Sequence, residues 1–362
     1  MDPMAAVAMR GELVLLVTTD CNLRCRYCYA RGGEDPQQMS WEVAKRALDL
    51  MFERFDGFDV QFSGGEPLLN MELVERVVEY TKGRGVRHRI QTNATLIDRR
   101  VARWIRELGI SVGVSLDGLP EVNDRLRPFA DGRGSTAAAV SGIESLGAEG
   151  IRVGLTCVLS AENAPGLPGL VELASYLGNV EGIALDLLRP IGRAKRGEVA
   201  PADPALAVRS VNAALRRAEE LALMGGRRVK FREVERIRYL LSHGLERKYR
   251  CPFDARRYLV VDPRGRVWPC PSLVGFPEFY LGDVFEDGFA DELGDRLERC
   301  RGLIALPRYC SACPERPLCG GPCLARTYAE QLTGGTNLTE CYVRRAFINF
   351  AGGKEVANHA AK

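Results

Sequence analysis

The chain has 362 residues, 46% of them hydrophobic and 27% charged, and its 50 Lys and Arg against 47 Asp and Glu leave a net charge of +3. That length buries a large core and suits more than one domain, and the near-balance of charge argues against nucleic acid or an anionic membrane as partner. No apolar run approaches the roughly 20 residues that cross a bilayer, and Met1 to Arg10 lacks a basic stretch followed by a long apolar core, so neither a membrane span nor a signal peptide is expected.

Taken in order, Leu13–Thr18 reads as a buried parallel strand feeding a loop. Ser40 is placed to cap a helix whose apolar positions Val43, Ala47, Met51 and Phe55 recur every four residues, with Gly57 as its stop. Strand Phe58–Phe62, a helix over 70–81 and strand Val86–Gln91 follow. Asp98 caps a helix with Val101, Ile105 and Leu108 on one face, stopped by Gly109. Then come strand Ile110–Leu116, a helix over 135–148, strand Ile151–Leu159, a helix over 167–177 and strand Ile183–Leu188. Six strands alternating with helices predict an α/β fold with parallel pairing.

Between the first strand and the first helix lies Cys21-Asn22-Leu23-Arg24-Cys25-Arg26-Tyr27-Cys28, three thiols at C-x3-C-x2-C spacing. Three close thiolates suit a cubane iron–sulfur cluster with one iron left free of protein. A zinc knuckle is the alternative, although a closed zinc site wants a fourth local ligand. Twelve cysteines without an export signal point to metal ligation in a reducing compartment, the cytoplasm, and not to disulfides. Functional groups in parallel barrels gather at the C-terminal strand ends. Ser63-Gly64-Gly65-Glu66-Pro67, Gln91-Thr92-Asn93 and Ser115-Leu116-Asp117-Gly118 all fall there. Each is also compatible with ordinary turn chemistry.

The cysteine run, with Tyr27 beside its last thiol, resembles the signature of the radical S-adenosylmethionine (radical SAM) superfamily. The resemblance implies an open (β/α)6 partial barrel over residues 1–190, a [4Fe-4S] cluster on Cys21, Cys25 and Cys28, and S-adenosylmethionine on the fourth iron. Ser63, Gly64, Gly65, Glu66 and Pro67 match the family's GGEP motif, which holds the methionyl amino group. By the same resemblance Tyr27, Asn93 and Ser115 are cofactor contacts, Arg127 pairs with the cofactor carboxylate and Leu187 packs near the adenine. Read without the resemblance, Arg127 is a solvated surface residue and Leu187 a core one.

Residues 190 to about 204 change character, with Pro190, Gly192, Pro201 and Pro204 reading as a linker, and helical stretches over 205–224 and 232–242 complete a bridge over 191–250. The charge run Arg227, Arg228, Lys230 and Arg232 reads as a solvated face. From residue 251 to 362 the spacing is C-x13-G-x4-C, then C-x2-C-x5-C-x3-C, then a last cysteine. This order resembles the SPASM domain, which implies two auxiliary [4Fe-4S] clusters, hence three in all. Cys310, Cys313, Cys319 and Cys341 would hold the distal one, and Cys251, Cys270 and Cys323 the one nearer the active site. The second set lacks a fourth thiol, for which His243 and Cys300 are candidates, while Cys157 reads as a buried mid-strand thiol.

The stretch from Ser115 to Thr136 is typical of the SPASM branch that modifies peptides or proteins. A peptide or protein substrate and an electron donor of ferredoxin or flavodoxin type are therefore expected. A small molecule or tetrapyrrole precursor is the alternative substrate. Sulfatase maturases of that branch carry a general-base aspartate where this chain has Pro271, which ranks formylglycine formation lower. A non-catalytic metal-binding protein is the reading from another class. The cluster loop begins at residue 21, so no leader-binding extension is expected ahead of it.

Overall fold

A computed structural model describes residues 10–333 and 338–353; most of the segment Met1 to Arg10 and the last nine residues lie outside them. The strands are β1 (Gly11–Thr18), β2 (Phe58–Gly64), β3 (Arg87–Thr92), β4 (Ser111–Ser115), β5 (Val153–Leu159), β6 (Val180–Leu187), β7 (Lys230–Phe231), β8 (Tyr258–Val261), β9 (Arg266–Trp268) and β10 (Gly282–Asp283). They form one sheet in the order β10-β9-β8-β1-β2-β3-β4-β5-β6-β7. Pairing is parallel from β8 through β7, and the β8-β9-β10 edge is antiparallel. The near-continuous burial of Leu13 to Val17 fits a strand covered on both faces.

Up to residue 243 the helices are α1 (Trp41–Arg54), α2 (Met71–Thr81), α3 (Arg99–Glu107), α4 (Pro120–Leu126), α5 (Thr136–Ala148), α6 (Leu167–Leu177), α7 (Pro204–Leu223) and α8 (Arg232–His243), and Phe289–Gly302, Arg308–Ser311, Arg316–Cys319, Leu324–Thr333 and Thr339–Ala351 follow. Ser40 Oγ accepts from Val43 N at 3.4 Å, and Asp98 Oδ1 from Val101 N at 2.8 Å, the caps expected from sequence. α1 ends at Arg54, three residues ahead of Gly57, because Phe55 already turns extended with φ −139°.

Three features depart from the six-strand reading. β7 arises inside the charge run, where Lys230 and Phe231 pair with Gly182 and Ile183. β8 joins β1 from the opposite edge, Leu259 against Leu13, so the sheet runs across residue 250. Two helices follow β4 where one is expected: the short α4, started by Pro120 in its first turn, precedes α5. Two-residue strands and pairings across more than 200 residues leave no local periodicity to read.

The two rims of the parallel sheet differ. At the N-terminal rim, Asp59 is buried and takes Arg10 Nε at 2.9 Å, Arg87 Nε at 2.8 Å and Arg89 Nη2 at 2.8 Å. At the C-terminal rim, the thiol loop after β1 meets the loops after β2, β3 and β4.

Candidate active site

The thiol loop is shaped by backbone pairing with the segment after α4. Arg24 N donates to Pro128 O at 2.8 Å, Arg26 N to Leu126 O at 2.9 Å, and Ala130 N to Asn22 O at 3.0 Å. This pairing carries Arg127, a hundred residues from Tyr27 in sequence, to the side of Cys25. Arg24 closes the loop on itself, with Nη1 donating to Leu23 O at 2.9 Å and Nη2 to Gly33 O at 3.1 Å. Asn22 reaches the end of β3, where Asn93 Nδ2 donates to Asn22 Oδ1 at 2.8 Å and Asn22 Nδ2 to Thr95 Oγ1 at 2.8 Å.

Gly64 and Gly65 let the loop after β2 lie against the loop after β1. Gly64 has φ +134°, and a Cβ there would come within 2.0 Å of Thr18 O; a Cβ on Gly65 would come within 1.9 Å of Asp20 O. Gly65 N and Glu66 N donate to those carbonyls at 2.8 Å. The Glu66 carboxylate, buried, accepts from Thr92 Oγ1 at 2.7 Å, Asn93 N at 2.8 Å and Leu68 N at 3.2 Å. Three of its roughly four acceptor positions are thus filled from within, leaving one for an ammonium donor. Burial nevertheless pushes its carboxyl up from the ordinary value. Pro67 opens the 3-10 turn Pro67–Asn70 that Glu66 caps, and Ser63 lies opposite Leu16 in the β1–β2 register.

Tyr27, Asp117 and Arg127 form a buried cluster beside Cys25. Tyr27 donates its hydroxyl to Asp117 Oδ2 and accepts from Arg127 Nη1 at 2.7 Å. Arg127 Nη1 lies 3.8 Å from Asp117 Oδ2, and Val158 N donates to Asp117 Oδ1 at 2.8 Å. Arg127 is 8% exposed, which corrects the solvated-surface alternative. Burial pushes Asp117 up, against the pull of Arg127. Ser115 Oγ accepts from Gln91 Nε2 at 2.8 Å across β3 and β4. Leu187 is buried in the core, and its carbonyl accepts from Arg326 Nη1 at 3.0 Å.

The three thiols of the loop feel one another: Cys25 and Cys28 both act on Cys21, and burial pushes Cys21 up to about 12. Burial also pushes Cys25 up, while Arg127 pulls it down. A cluster ion is the counter-charge such buried thiols need to ionise. The donor set fits it: three soft ligands around a loop where Gly32 leaves room against Cys21 Cβ, 3.1 Å from an added Cβ.

The remaining thiols fall into two neighbourhoods. Cys251 and Cys323 both act on Cys270, whereas Cys310 and Cys319 act on Cys341, and Cys313 on Cys310. Tyr29 stands between the first neighbourhood and the loop, sensing both Cys28 and Cys270, with Arg189 over its ring at 5.7 Å. A buried ion network ties the two neighbourhoods to β6. Glu340 takes Arg326 Nε at 3.0 Å and Arg250 Nη2 at 2.8 Å and accepts from Cys323 N at 3.1 Å. Arg326 Nη1 reaches Asp186 Oδ1 at 2.9 Å, and Asp186 Oδ2 takes Arg189 Nη1 at 2.6 Å. Burial alone would raise Asp186; Arg189 and Arg326 outweigh it and hold the carboxyl well below its usual range.

Two candidates for a fourth ligand stand elsewhere. His243 ends α8 in an exposed position, its ring stacked on Tyr239 at 4.1 Å. Cys300 is fully buried in the core with Sγ 3.7 Å from Glu278 O. Cys157 is a buried thiol in mid-strand, accepting from Asn163 Nδ2 at 3.4 Å. Asp117, Tyr29, Asp186, Arg189, Arg326 and Glu340 escaped the sequence reading as site residues; only Asp117 stood in a motif.

Residues 15–174 match the radical SAM superfamily and residues 251–314 the SPASM iron–sulfur cluster-binding domain. The chain belongs to the radical SAM superfamily of enzymes. Its SPASM domain implies auxiliary iron–sulfur clusters beside the radical SAM cluster. This radical SAM/SPASM chain is 38% identical over 160 residues to Fe-coproporphyrin III synthase of Methanosarcina barkeri, 43% of this chain and 39% of that protein. It is 29% identical over 330 residues to mycofactocin maturase MftC of Mycobacterium ulcerans, 90% of this chain and 84% of that one. It is 26% identical over 329 residues to AdoMet-dependent heme synthase of Oleidesulfovibrio alaskensis, 86% and 82% of the two chains. An uncharacterized protein of Methanocaldococcus jannaschii is 41% identical over 183 residues, 49% of this chain, and the match spans 63% of that relative's own length. The fold is that of native anSMEcpe with bound AdoMet and Cp18Cys peptide, at TM-score 0.76, 20% identity and coverage of 94% and 99%. SuiB of Streptococcus suis bound to precursor peptide SuiA superposes at TM-score 0.64, with 15% identity and coverage of 88% and 72%. No helix among the described residues is long and apolar enough to cross a membrane.

Proposed function

We propose that this enzyme cleaves S-adenosylmethionine reductively and uses the resulting 5′-deoxyadenosyl radical to take a hydrogen atom from a peptide or protein substrate. The carrying observation is the convergence of Cys21, Cys25 and Cys28 with Glu66 and Arg127 at one strand-end rim. A [4Fe-4S] cluster on those three thiols supplies the electron and an open iron for the sulfonium cofactor. Glu66 keeps one acceptor position for the cofactor ammonium, and Gly64 and Gly65 keep the backbone close beneath it. Arg127, steadied through Tyr27 and Asp117, offers its remaining donors to the cofactor carboxylate. Asn93, Ser115 and Leu187 line the same rim.

Cys310, Cys313, Cys319 and Cys341 are assigned to a distal auxiliary cluster, and Cys251, Cys270 and Cys323 to one nearer the rim, giving three clusters in all. Work in a reducing compartment, the cytoplasm, is part of this reading, supported by the cysteines taken as metal ligands. Its electron donor is a ferredoxin or flavodoxin. Pro271 opens the turn directly after Cys270, where formylglycine formation would want a carboxylate, and proline takes no proton. Peptide maturation is therefore preferred. It is supported by mycofactocin maturase, whose likeness covers both domains.

A second reading, action on an iron porphyrin or its precursor, is favoured by the likeness to Fe-coproporphyrin III synthase and AdoMet-dependent heme synthase. One experiment separates the two. The reconstituted enzyme is incubated anaerobically with S-adenosylmethionine and reductant, in turn with peptides encoded beside its gene and with iron coproporphyrin. A mass shift in a peptide supports the proposal. Turnover of the porphyrin alone contradicts it.

A further inference from the structure

The thiol loop borders a further feature, formed by none of the residues assigned above to the cofactor. A cleft of about 320 Å³ is lined by Arg24, Arg26, Glu34, Arg193, Arg196 and Glu198. Four guanidinium groups face two carboxylates. One of those, Glu34, is already shared between Arg193 Nη1 at 3.5 Å and Arg196 Nη2 at 3.2 Å. Arg24 and Arg26 flank Cys25 in sequence, and Arg193 N donates to Cys28 O at 3.0 Å. The Arg193 side chain is 5% exposed, yet its buried Nε has no partner among the described residues. Arg26 and Arg196 stand exposed at the mouth of the cleft.

We infer that this cleft is the docking site of the electron donor, a small acidic redox protein of flavodoxin type. The inference rests on the radical SAM reading. The argument is one of position and charge. An electron carrier needs an approach to the three thiols through residues that the cofactor does not occupy. The cleft adjoins the loop through Arg24 and Arg26, on either side of Cys25, and through Arg193 N on Cys28 O, and its four arginines outnumber its two glutamates. An acidic partner is steered to such a patch, and arginine's planar fork suits its carboxylates. One electron leaves the reduced carrier, which is oxidised by one equivalent, and arrives at the Cys21, Cys25 and Cys28 site; no bond forms or breaks at the surface.

The test uses the full chain and the variant R26E/R196E, whose substitutions lie at exposed positions. Binding of oxidised flavodoxin is followed by fluorescence titration, and 5′-deoxyadenosine formation is followed with either reduced flavodoxin or dithionite as reductant. The variant is expected to bind flavodoxin about 10-fold more weakly at roughly 0.05 M salt, the gap narrowing at roughly 0.3 M. Its flavodoxin-driven turnover falls by a similar factor through KM, and its dithionite-driven turnover stays at the wild-type level. Unchanged flavodoxin binding overturns the inference. So does a loss confined to substrate modification with 5′-deoxyadenosine undiminished, which assigns the cleft to an acidic peptide. Equal losses with both reductants also overturn it, as a structural effect. Wild-type protein inactive even with dithionite would instead sink the radical SAM reading itself.

Discussion

Cys21, Cys25 and Cys28 ride on a loop stitched by backbone hydrogen bonds to residues 126–130 and wedged against parallel strand ends. Cys310, Cys313 and Cys319 lie on or beside single-turn helices, Arg308–Ser311 and Arg316–Cys319, where no strand pairs. Their N–H groups bond locally, Cys310 N to Pro307 O at 2.9 Å and Arg316 N to Cys313 O at 3.1 Å, and Arg247 ties the second helix from afar, its N on Pro317 O at 2.6 Å and its Nη1 on Cys319 O at 3.0 Å. Helices this short hold little structure by themselves. The fold therefore shapes the first thiol set by itself, whereas the second would lean on the cluster proposed for it. The buried network on Glu340 is what anchors that part to the barrel.

The largest effect expected on this contrast is that of Cys25→Ala. It removes one of three thiols from a preformed loop, so 5′-deoxyadenosine production is abolished while the circular dichroism spectrum is kept. Undiminished production would remove the loop from the chemistry. Next, stripping iron with a chelator is expected to raise amide hydrogen exchange across residues 305–323 toward the unprotected rate. Residues 13–17 and 58–64 keep their protection. Equal loss in both segments would erase the distinction between them. Third, Glu340→Gln leaves buried Arg250 without its counter-charge and Arg326 with Asp186 alone, and is expected to cost about 3 kcal/mol of stability by denaturant titration.

The smallest effect belongs to the far rim, where Asp59→Asn is expected to cost about 1 kcal/mol at neutral pH, discounted because its arginine partners are partly exposed. Burial would raise Asp59, but Arg87, Arg10 and Arg89 outweigh it and lower its carboxyl below 3.8. A carboxyl lowered by folding adds stability above its unfolded value, and that contribution fades as pH falls through the folded value. The gap between wild type and Asp59→Asn should therefore close only below about pH 4. A gap that widened with acid would reverse the sign of that ion cluster. Cofactor cleavage is expected to be unchanged by this substitution, since the N-terminal rim holds no site residue.

Much of this organisation was legible because it is local. Ser40 and Asp98 cap the helices they precede, and the six long strands carry apolar runs bounded by turn residues. The thiol spacing and Gly64-Gly65-Glu66 likewise sit within a few residues of each other. What escaped arises from long-range pairing. Arg127 is named through the family resemblance, but its place beside Cys25 arises only because residues 24–26 pair with residues 126–128. Asp117 reads as turn chemistry until Tyr27 and Val158 N close on it. Glu340, Arg326 and Asp186 look like three ordinary helix and strand charges until burial brings them together. β7 and β8 are short strands recruited by edges that no local pattern announces.

The central claim is that three loop thiols leave one iron open to S-adenosylmethionine, and its most direct test is product formation by the wild-type chain. Protein reconstituted anaerobically with iron and sulfide is given S-adenosylmethionine and dithionite, and 5′-deoxyadenosine is measured against chain concentration. Brown, iron-loaded protein that accumulates 5′-deoxyadenosine is the result predicted. Protein that takes up no iron, or that takes it up and leaves S-adenosylmethionine intact, would contradict it.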